Sequence, residues 1–196
     1  MNARPSLRDR QKSATQELIL EAVGRCMQDK GLEDLSFADV AAEAGIGLRT
    51  VYRYYPTKDA LLDAFWSWLH ASLGIDAFPE AMTDLLALPG RVFPIFDAKE
   101  PIIRGMMSSR QGREVRLKVN DRRQAAIRRS VLDGAGPIAE PELTRLCAAV
   151  QLLYSATGWL TMKDYWGLSG EEAGKAASEA IQALIDTAKR KREQQP

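Results

Sequence analysis

The sequence predicts an all-α fold, and three observations carry that prediction. Apolar residues recur at i, i+3 and i+4 through most of the 196 residues. No stretch alternates for long with the period of two that marks a strand, and no internal repeat or low-complexity tract interrupts the chain. Gly, Pro, Ser and Thr fall where helices should start and stop, dividing the apolar stripes into about nine helices. With 45% hydrophobic and 27% charged residues the chain is globular, and its length fits a small domain joined to a larger one.

Residues 1–12 hold Arg4, Arg8, Arg10 and Lys12 against Asp9 alone, a net of +3 (4 − 1). This arm is expected to precede the first helix, either as a solubilising tail or as a segment that follows phosphates or enters a minor groove. Residues 15–30 place Leu18, Ile19, Ala22, Val23, Cys26 and Met27 on one stripe, closed by Gly31.

Residues 36–59, SFADVAAEAGIGLRTVYRYYPTKD, read as two short helices around a tight glycine turn, with a third helix directly after. Ser36 is a good N-cap, and Asp39 can reach back to the free N–H groups. Phe37, Val40, Ala41 and Ala44 share a face, and small Ala41 permits close approach of the second helix. Gly45 suits the left-handed exit from a helix, Ile46 buries, and Gly47 opens the next helix. There Val51 and Tyr54 point inward, leaving Leu48, Arg49, Thr50, Tyr52 and Arg53 outside, and Pro56 ends the helix. This pattern is a helix-turn-helix, whose second helix fits a DNA major groove. Arg49 and Arg53 suit guanine edges or phosphates, Thr50 and Tyr52 suit phosphate oxygens, and Leu48 suits a thymine methyl. Taken alone, that face would equally serve as a solvated surface carrying two arginines.

The run AEAGIGLRTVYRYYPTKDALLDA resembles the DNA-binding signature of the tetracycline-repressor (TetR) family of bacterial regulators. The matching positions are Ala44, Gly45, Ile46, Thr50, Tyr52, Tyr55, Lys58, Asp59, Leu61 and Leu62, and the strong likeness covers residues 15–64. Three departures stand out: Gly47 replaces the usual Ser cap, Leu48 and Arg49 replace a commoner Lys and Gly, and Tyr55 replaces Phe. The resemblance implies that Thr50, Tyr52 and Lys58 grip phosphates, and that the bases read differ from those of other members. With Ser36, Leu48, Arg49, Arg53 and Tyr54, these complete the expected DNA-facing set. It also implies an N-terminal DNA-binding domain over residues 1–62 and a helical ligand-binding and dimerisation domain over residues 63–196.

Thr57 caps a helix expected over residues 58–73, carrying Leu61, Leu62, Phe65, Trp66, Trp68 and Leu69, with a break at 74–79. Helices are then expected over 79–96, bent near Pro89-Gly90 or Pro94, over 100–108, and over 112–132. Pro141 begins one running to residue 165, and Ser169 with Glu172 forms a capping box for the last.

The last helix carries a stripe of Ala173, Ala177, Ala180, Ile181 and Leu184, and the preceding one shows Val150 and Tyr154 on its apolar side. Paired helix-turn-helix units need two-fold dimers, and two such helices per subunit would make a four-helix interface; packing within the subunit is the alternative. The resemblance favours the dimer. Candidate walls of an effector pocket are Trp66, Phe93, Phe96, Ile103, Met106, Met107, Trp159 and Met162, with Leu152 beside them, since aromatics and methionines adapt to apolar ligands. Each of these would also serve as ordinary core. From Arg104 to Arg129 nine cations face two anions, a net of +7 (9 − 2), mostly a solvated face from which Arg104 or Arg110 would meet an acidic ligand.

His70 is the single histidine, and the sequence has neither a Cys-x-x-Cys pair nor a phosphate-cradling glycine loop. No catalytic residue, metal or cofactor is therefore expected. Cys26 and Cys147 read as buried thiols of a reducing cytosol, and no apolar run is long enough to span a membrane, so the protein is expected to be soluble and cytoplasmic. The formal net charge of +1 means that any DNA affinity must come from local placement of charge. The expected function is a dimeric, ligand-responsive repressor released from a palindromic operator by a small apolar or amphipathic effector. The alternatives are a DNA-binding regulator controlled by a protein partner, and a helical ligand-binding or adaptor protein without DNA function.

Overall fold

The computed structural model describes residues 6–72 and 78–194, apart from the side chains of Arg8, His70, Ala71 and Ser72. The expectations placed on Arg4, on the side chains of Arg8 and His70, and on residues 73–77 lie outside the described residues. Among the described residues the structure is all-α, with eleven helices and no strands. They are α1 Leu7–Lys30, α2 Phe37–Glu43, α3 Leu48–Tyr54, α4 Lys58–Ser72, α5 Met82–Ala98 and α6 Glu100–Ser108. α7 Arg110–Lys118, α8 Asn120–Ala135, α9 Glu142–Tyr154, α10 Ala156–Trp166 and α11 Gly170–Glu193 complete the order.

Two expected helices are each split, which accounts for eleven helices instead of nine. The stretch expected as one helix over 112–132 divides at Val119, whose φ of −105° and ψ of 7° leave the helical range. Asn120 and Asp121 then start α8, as short polar side chains that compete for backbone groups tend to do. The stretch over 141–165 divides at Ser155, which is extended (φ −83°, ψ 165°). Its hydroxyl donates to the Leu152 carbonyl at 2.8 Å and accepts from the Gly158 N–H at 3.2 Å, so one serine closes α9 and caps α10. A Cβ at Gly158 would lie 2.5 Å from the Leu152 oxygen, so only glycine permits that sharp corner. The first helix departs in the other direction. The basic segment from Leu7 onward is helical, not an arm, because Ser6 and Asp9 form a full capping box.

The chain forms two compact units. The first comprises Met1–Leu73 with Pro101–Val115, and the second comprises Gly74–Glu100 with Arg116–Pro196. In the first, Ile19, Val23 and Met27 of α1 bury with Val40, Val51, Leu61, Phe65 and Trp66. Leu18, expected on the same stripe, is 37% exposed. α6 joins this unit through Gly105, where a Cβ would meet Met27 Cε at 2.8 Å and Leu32 Cβ at 3.3 Å. The first turn of α4 holds the start of α7: Asp59 accepts from Gln111 Nε2 at 2.6 Å and from Arg110 at 3.3 Å.

In the second unit the core is made by Met82 and Leu85 of α5, Ile127 and Val131 of α8, Leu143, Cys147 and Val150 of α9, and Ile181 and Ile185 of α11. α11 and α5 cross where side chains are absent. A Cβ at Gly174 would lie 2.9 Å from Gly90 Cα, and one at Gly170 would lie 2.5 Å from the Phe93 carbonyl oxygen. Asp97 joins three elements by accepting from Trp159 Nε1 at 2.9 Å, Lys163 Nζ at 3.2 Å and the Gly170 N–H at 2.6 Å. Burial alone would raise the Asp97 carboxyl, but these three donors hold it below its ordinary value. Both Pro89 and Pro94 lie inside α5.

Candidate nucleic-acid interface

The site is assembled from α2, the turn and α3. The Ser36 hydroxyl accepts from the Asp39 N–H at 3.1 Å and donates to the Asp39 carboxylate at 2.5 Å. That carboxylate also accepts from Lys30 Nζ at 2.7 Å, which with Ser36 holds its pKa below the ordinary value. α2 is thus fastened to the end of α1, and a second ion pair, Arg25 to Glu43 at 2.5 Å, fastens its other end. Gly45 takes a φ of +65°, the left-handed conformation that closes the turn, and the Ile46 N–H then returns to the Ala41 carbonyl at 3.0 Å. Gly47 starts α3 without a side-chain cap, and the Thr50 N–H bonds its carbonyl at 2.7 Å.

Val51 is fully buried and anchors α3. The second anchor is Tyr55, not Tyr54. Tyr55 is buried and bonded to Gln16, whereas Tyr54 is half-buried beneath the Arg53 guanidinium at 5.3 Å from its ring centre. A helix that ends at residue 54 no longer follows helical spacing at its last position, so Tyr55, in extended backbone, turns inward instead. Ile46 is half-buried, less than the sequence implied.

The outer face holds the expected residues. Leu48 is 42% and Tyr52 48% exposed, Arg49 and Arg53 are exposed, and Thr50 is half-buried. The Tyr52 ring stacks on Phe37 at 4.5 Å between centroids and 5° between planes, so α2 sets the direction of its hydroxyl. Helical spacing does not reveal this contact, because it puts Phe37 on the core face of α2. Arg25 and Lys30 are spent on ion pairs, whereas neither Arg49 nor Arg53 has a carboxylate partner among the described residues. Lys58 is exposed at the start of α4, and its Nζ donates to the Leu32 carbonyl at 3.3 Å. Ser36 is exposed but both its bonds are to Asp39. The arrangement offers two guanidiniums without a carboxylate partner among the described residues, two hydroxyls and one apolar side chain on a short helix.

The other expected sites fare differently. Trp66, Ile103 and Met106 are buried in the first unit with Met107 half-buried, while Phe93, Phe96 and Trp159 are buried in the second with Met162 half-buried. Phe96 packs on Phe93 and Trp159 at 5.9 and 5.5 Å between ring centroids, and the Trp159 N–H is taken by Asp97, so these rings fill core space. Leu152 is 56% exposed, and Arg110 is paired with Asp59 and Glu114. Of the seven residues expected at a dimer interface, Val150, Ala173, Ala177 and Ile181 are fully buried within their own subunit. Their stripe faces α5 and the core of the second unit, so these four have no surface to offer a partner. Tyr154, Ala180 and Leu184 keep partial exposure.

Residues 19–65 match the model of the tetR family of bacterial regulatory proteins. The HTH-type transcriptional repressor DrrR1 of Streptomyces coeruleorubidus is 43% identical over 60 residues, which are 31% of this chain and 22% of that protein. The match thus spans only about a fifth of that relative. Solved structures share the fold over most of the chain. A TetR transcription regulator from Haloarcula marismortui has a TM-score of 0.65 at 21% identity, over 89% of this chain and 98% of that one. A transcriptional regulator from Pseudomonas aeruginosa has a TM-score of 0.67 at 17% identity, covering 92% of this chain and 94% of that one.

Proposed function

We propose that this chain is a member of the tetR family of bacterial regulatory proteins, a homodimeric transcriptional repressor that binds a palindromic operator and releases it on binding a small amphipathic effector. One observation carries the DNA-binding reading: α3 is held by α2, the Gly45 turn and the buried Val51 while Leu48, Arg49, Tyr52 and Arg53 stay outside, two of them guanidiniums with no carboxylate partner among the described residues. A side chain that is exposed, cationic and free on a rigid helix has nothing to do within the fold and is suited to a groove. In this reading Arg49 and Leu48 touch base edges. Arg53, Thr50, Tyr52 and Lys58 hold phosphates, Lys58 by exchanging the Leu32 carbonyl for a phosphate oxygen.

Two-fold symmetry of the operator requires a dimer, and the surface available for it lies on α9 and α11, where Leu152, Ala148 and Ala149 are exposed and Tyr154, Ala180 and Leu184 half-exposed. Control would be a population shift in which the effector prefers the dimer whose two α3 helices miss the ~34 Å half-site spacing. Such a protein works in the cytoplasm, where the chromosome lies, and is a regulator, not an enzyme.

The experiment is a duplex-binding titration across salt concentrations. Arg49→Ala should relax the preference at one base pair per half-site by ~1–3 kcal/mol. Lys58→Ala should weaken all sequences alike and reduce the slope of log K against log salt by about 0.9 for each lost phosphate contact. Sequence preference that follows Lys58 and ignores Arg49 would contradict the assignment. Failure of the wild-type protein to bind any duplex at low salt would leave the adaptor reading in its place.

A further inference from the structure

The second unit carries a cleft of about 570 Å³ that none of the expected pocket residues lines. It runs between one face of α5, where Asp84, Leu88 and Arg91 succeed each other at i, i+4 and i+7, and one face of α8, where Arg122, Ala126 and Arg129 do the same. Ala125 and Ala126 are too small to fill the space between the helices, which is what leaves the cleft open. Its end is closed by Phe78, in a segment tied to α8 by the Ser130 hydroxyl donating to the Pro79 carbonyl at 3.3 Å.

The charges of the cleft are unequal in availability. Asp84 accepts from the Glu80 and Ala81 N–H groups, both at 3.2 Å, so its carboxylate is occupied as a helix cap. Glu80 is then the one lining carboxylate not so engaged. Against it stand Arg91, Arg122 and Arg129, all exposed, and none has a carboxylate partner among the described residues. Arg122 lies over the Phe78 ring at 5.4 Å, and its N–H donors have no hydrogen-bond acceptor among the described residues. Three free guanidiniums around an apolar floor of Leu88, Ala125 and Ala126 are the complement of a molecule with an acidic head and an apolar body. The volume is that of ordinary small-molecule sites, which span roughly 300–1,000 Å³.

We propose that this cleft binds a small organic acid with an apolar body, its anionic head held by Arg91, Arg122 and Arg129 and its body lying on Leu88, Ala125 and Phe78. The binding claim does not depend on whether DNA is released, and it is tested without DNA.

The probe is anilinonaphthalene sulfonate, an aromatic anion that fluoresces when bound, compared with N-phenylnaphthylamine, which has the same rings and no charge. Wild-type protein should bind the anion saturably and the neutral dye at least about tenfold more weakly, the difference expected for charge-assisted hydrogen bonds. The double variant Arg122→Ala/Arg129→Ala should weaken the anion by about tenfold or more while leaving the neutral dye unchanged. Ala125→Phe keeps every charge, fills the floor, and should weaken both dyes. Arg145→Ala removes an exposed arginine from α9, outside the cleft, and should change neither. All these positions are exposed, and matching melting curves will check that each variant folds. Equal affinity for the two dyes would overturn the proposal. So would anion binding that survives both cleft variants, or that Arg145→Ala weakens as much as the double variant.

Discussion

Burial takes the Tyr154 hydroxyl away from water, and no protein group among the described residues replaces the lost hydrogen bond. The same burial pushes its phenol from 10.0 up to about 12. The sign of the consequence follows from which state ionises first. The unfolded chain loses this proton near pH 10 while the folded chain keeps it to about 12, so stability from the neutral phenol is complete below pH 10 and falls as pH rises through that interval. Tyr154→Phe should therefore raise stability by about 1 kcal/mol at neutral pH, since an unsatisfied buried hydroxyl is unfavourable, and should flatten the alkaline limb. Denaturant melts of both proteins at pH 7 and across pH 9–12 will measure this. A Phe variant that is less stable at both ends would show that the hydroxyl has a partner. Residue-level legibility is uneven for a physical reason. Helical spacing identified Val51 as inward, and Ser36 as a cap, because both depend only on local geometry. It placed Tyr54 inward and left Tyr55 without a face, because the helix ends between them and spacing has no meaning past the end.

At the scale of elements, the second unit depends on two devices that local sequence patterns do not reveal. One is the glycine crossing of α11 and α5. Gly174→Val would drive its side chain into Gly90 Cα and the Pro89 carbonyl, at 2.9 and 3.0 Å already from a bare Cβ. Overpacking of this kind is expected to cost ~1–3 kcal/mol or more, readable as a lower denaturation midpoint. An unchanged midpoint would mean that the helices do not approach so closely. The other device is Asp97. Asp97→Ala leaves the Trp159 N–H and the Gly170 N–H without an acceptor, and should destabilise by about 1–3 kcal/mol for each group that stays buried and unpaired. Because the Asp97 carboxyl is held low, its contribution is complete above the ordinary carboxylate pKa and is lost as pH falls through its depressed folded value. The wild-type acid limb should therefore be steeper than that of Asp97→Ala. Helices whose ends carry local signals were legible: the spacing located Glu100–Ser108 and the start of the last helix after Ser169. The breaks at Val119 and Ser155 were not, because apolar periodicity continues across them. The serine capping pattern Ser155-x-x-Gly158 was the available signal for the second.

For the molecule as a whole, the chain crosses between its two units near residues 73, 100 and 115. α6 and the start of α7 thus belong to the unit that holds the helix-turn-helix although they lie far along the sequence, and Asp59 beside Lys58 holds α7 directly. Apolar stripes reported which side of a helix is buried but not what buries it, which is why Ala173, Ala177 and Ile181 read as an interface and are core. The fold class, the helix-turn-helix and its outward residues were legible because cap, turn and recognition helix are contiguous in sequence. The arginine cleft was not, since it needs α5 and α8 side by side. In the proposed dimer two copies of α3 face DNA, and selection of bound duplexes from a random pool shows whether they do. The prediction is enrichment of one two-fold symmetric sequence, with half-sites about one turn or ~34 Å apart, bound by a dimer and lost to Arg49→Ala. Recovery of no preferred sequence, or of one unrelated by two-fold symmetry and indifferent to Arg49, would contradict it.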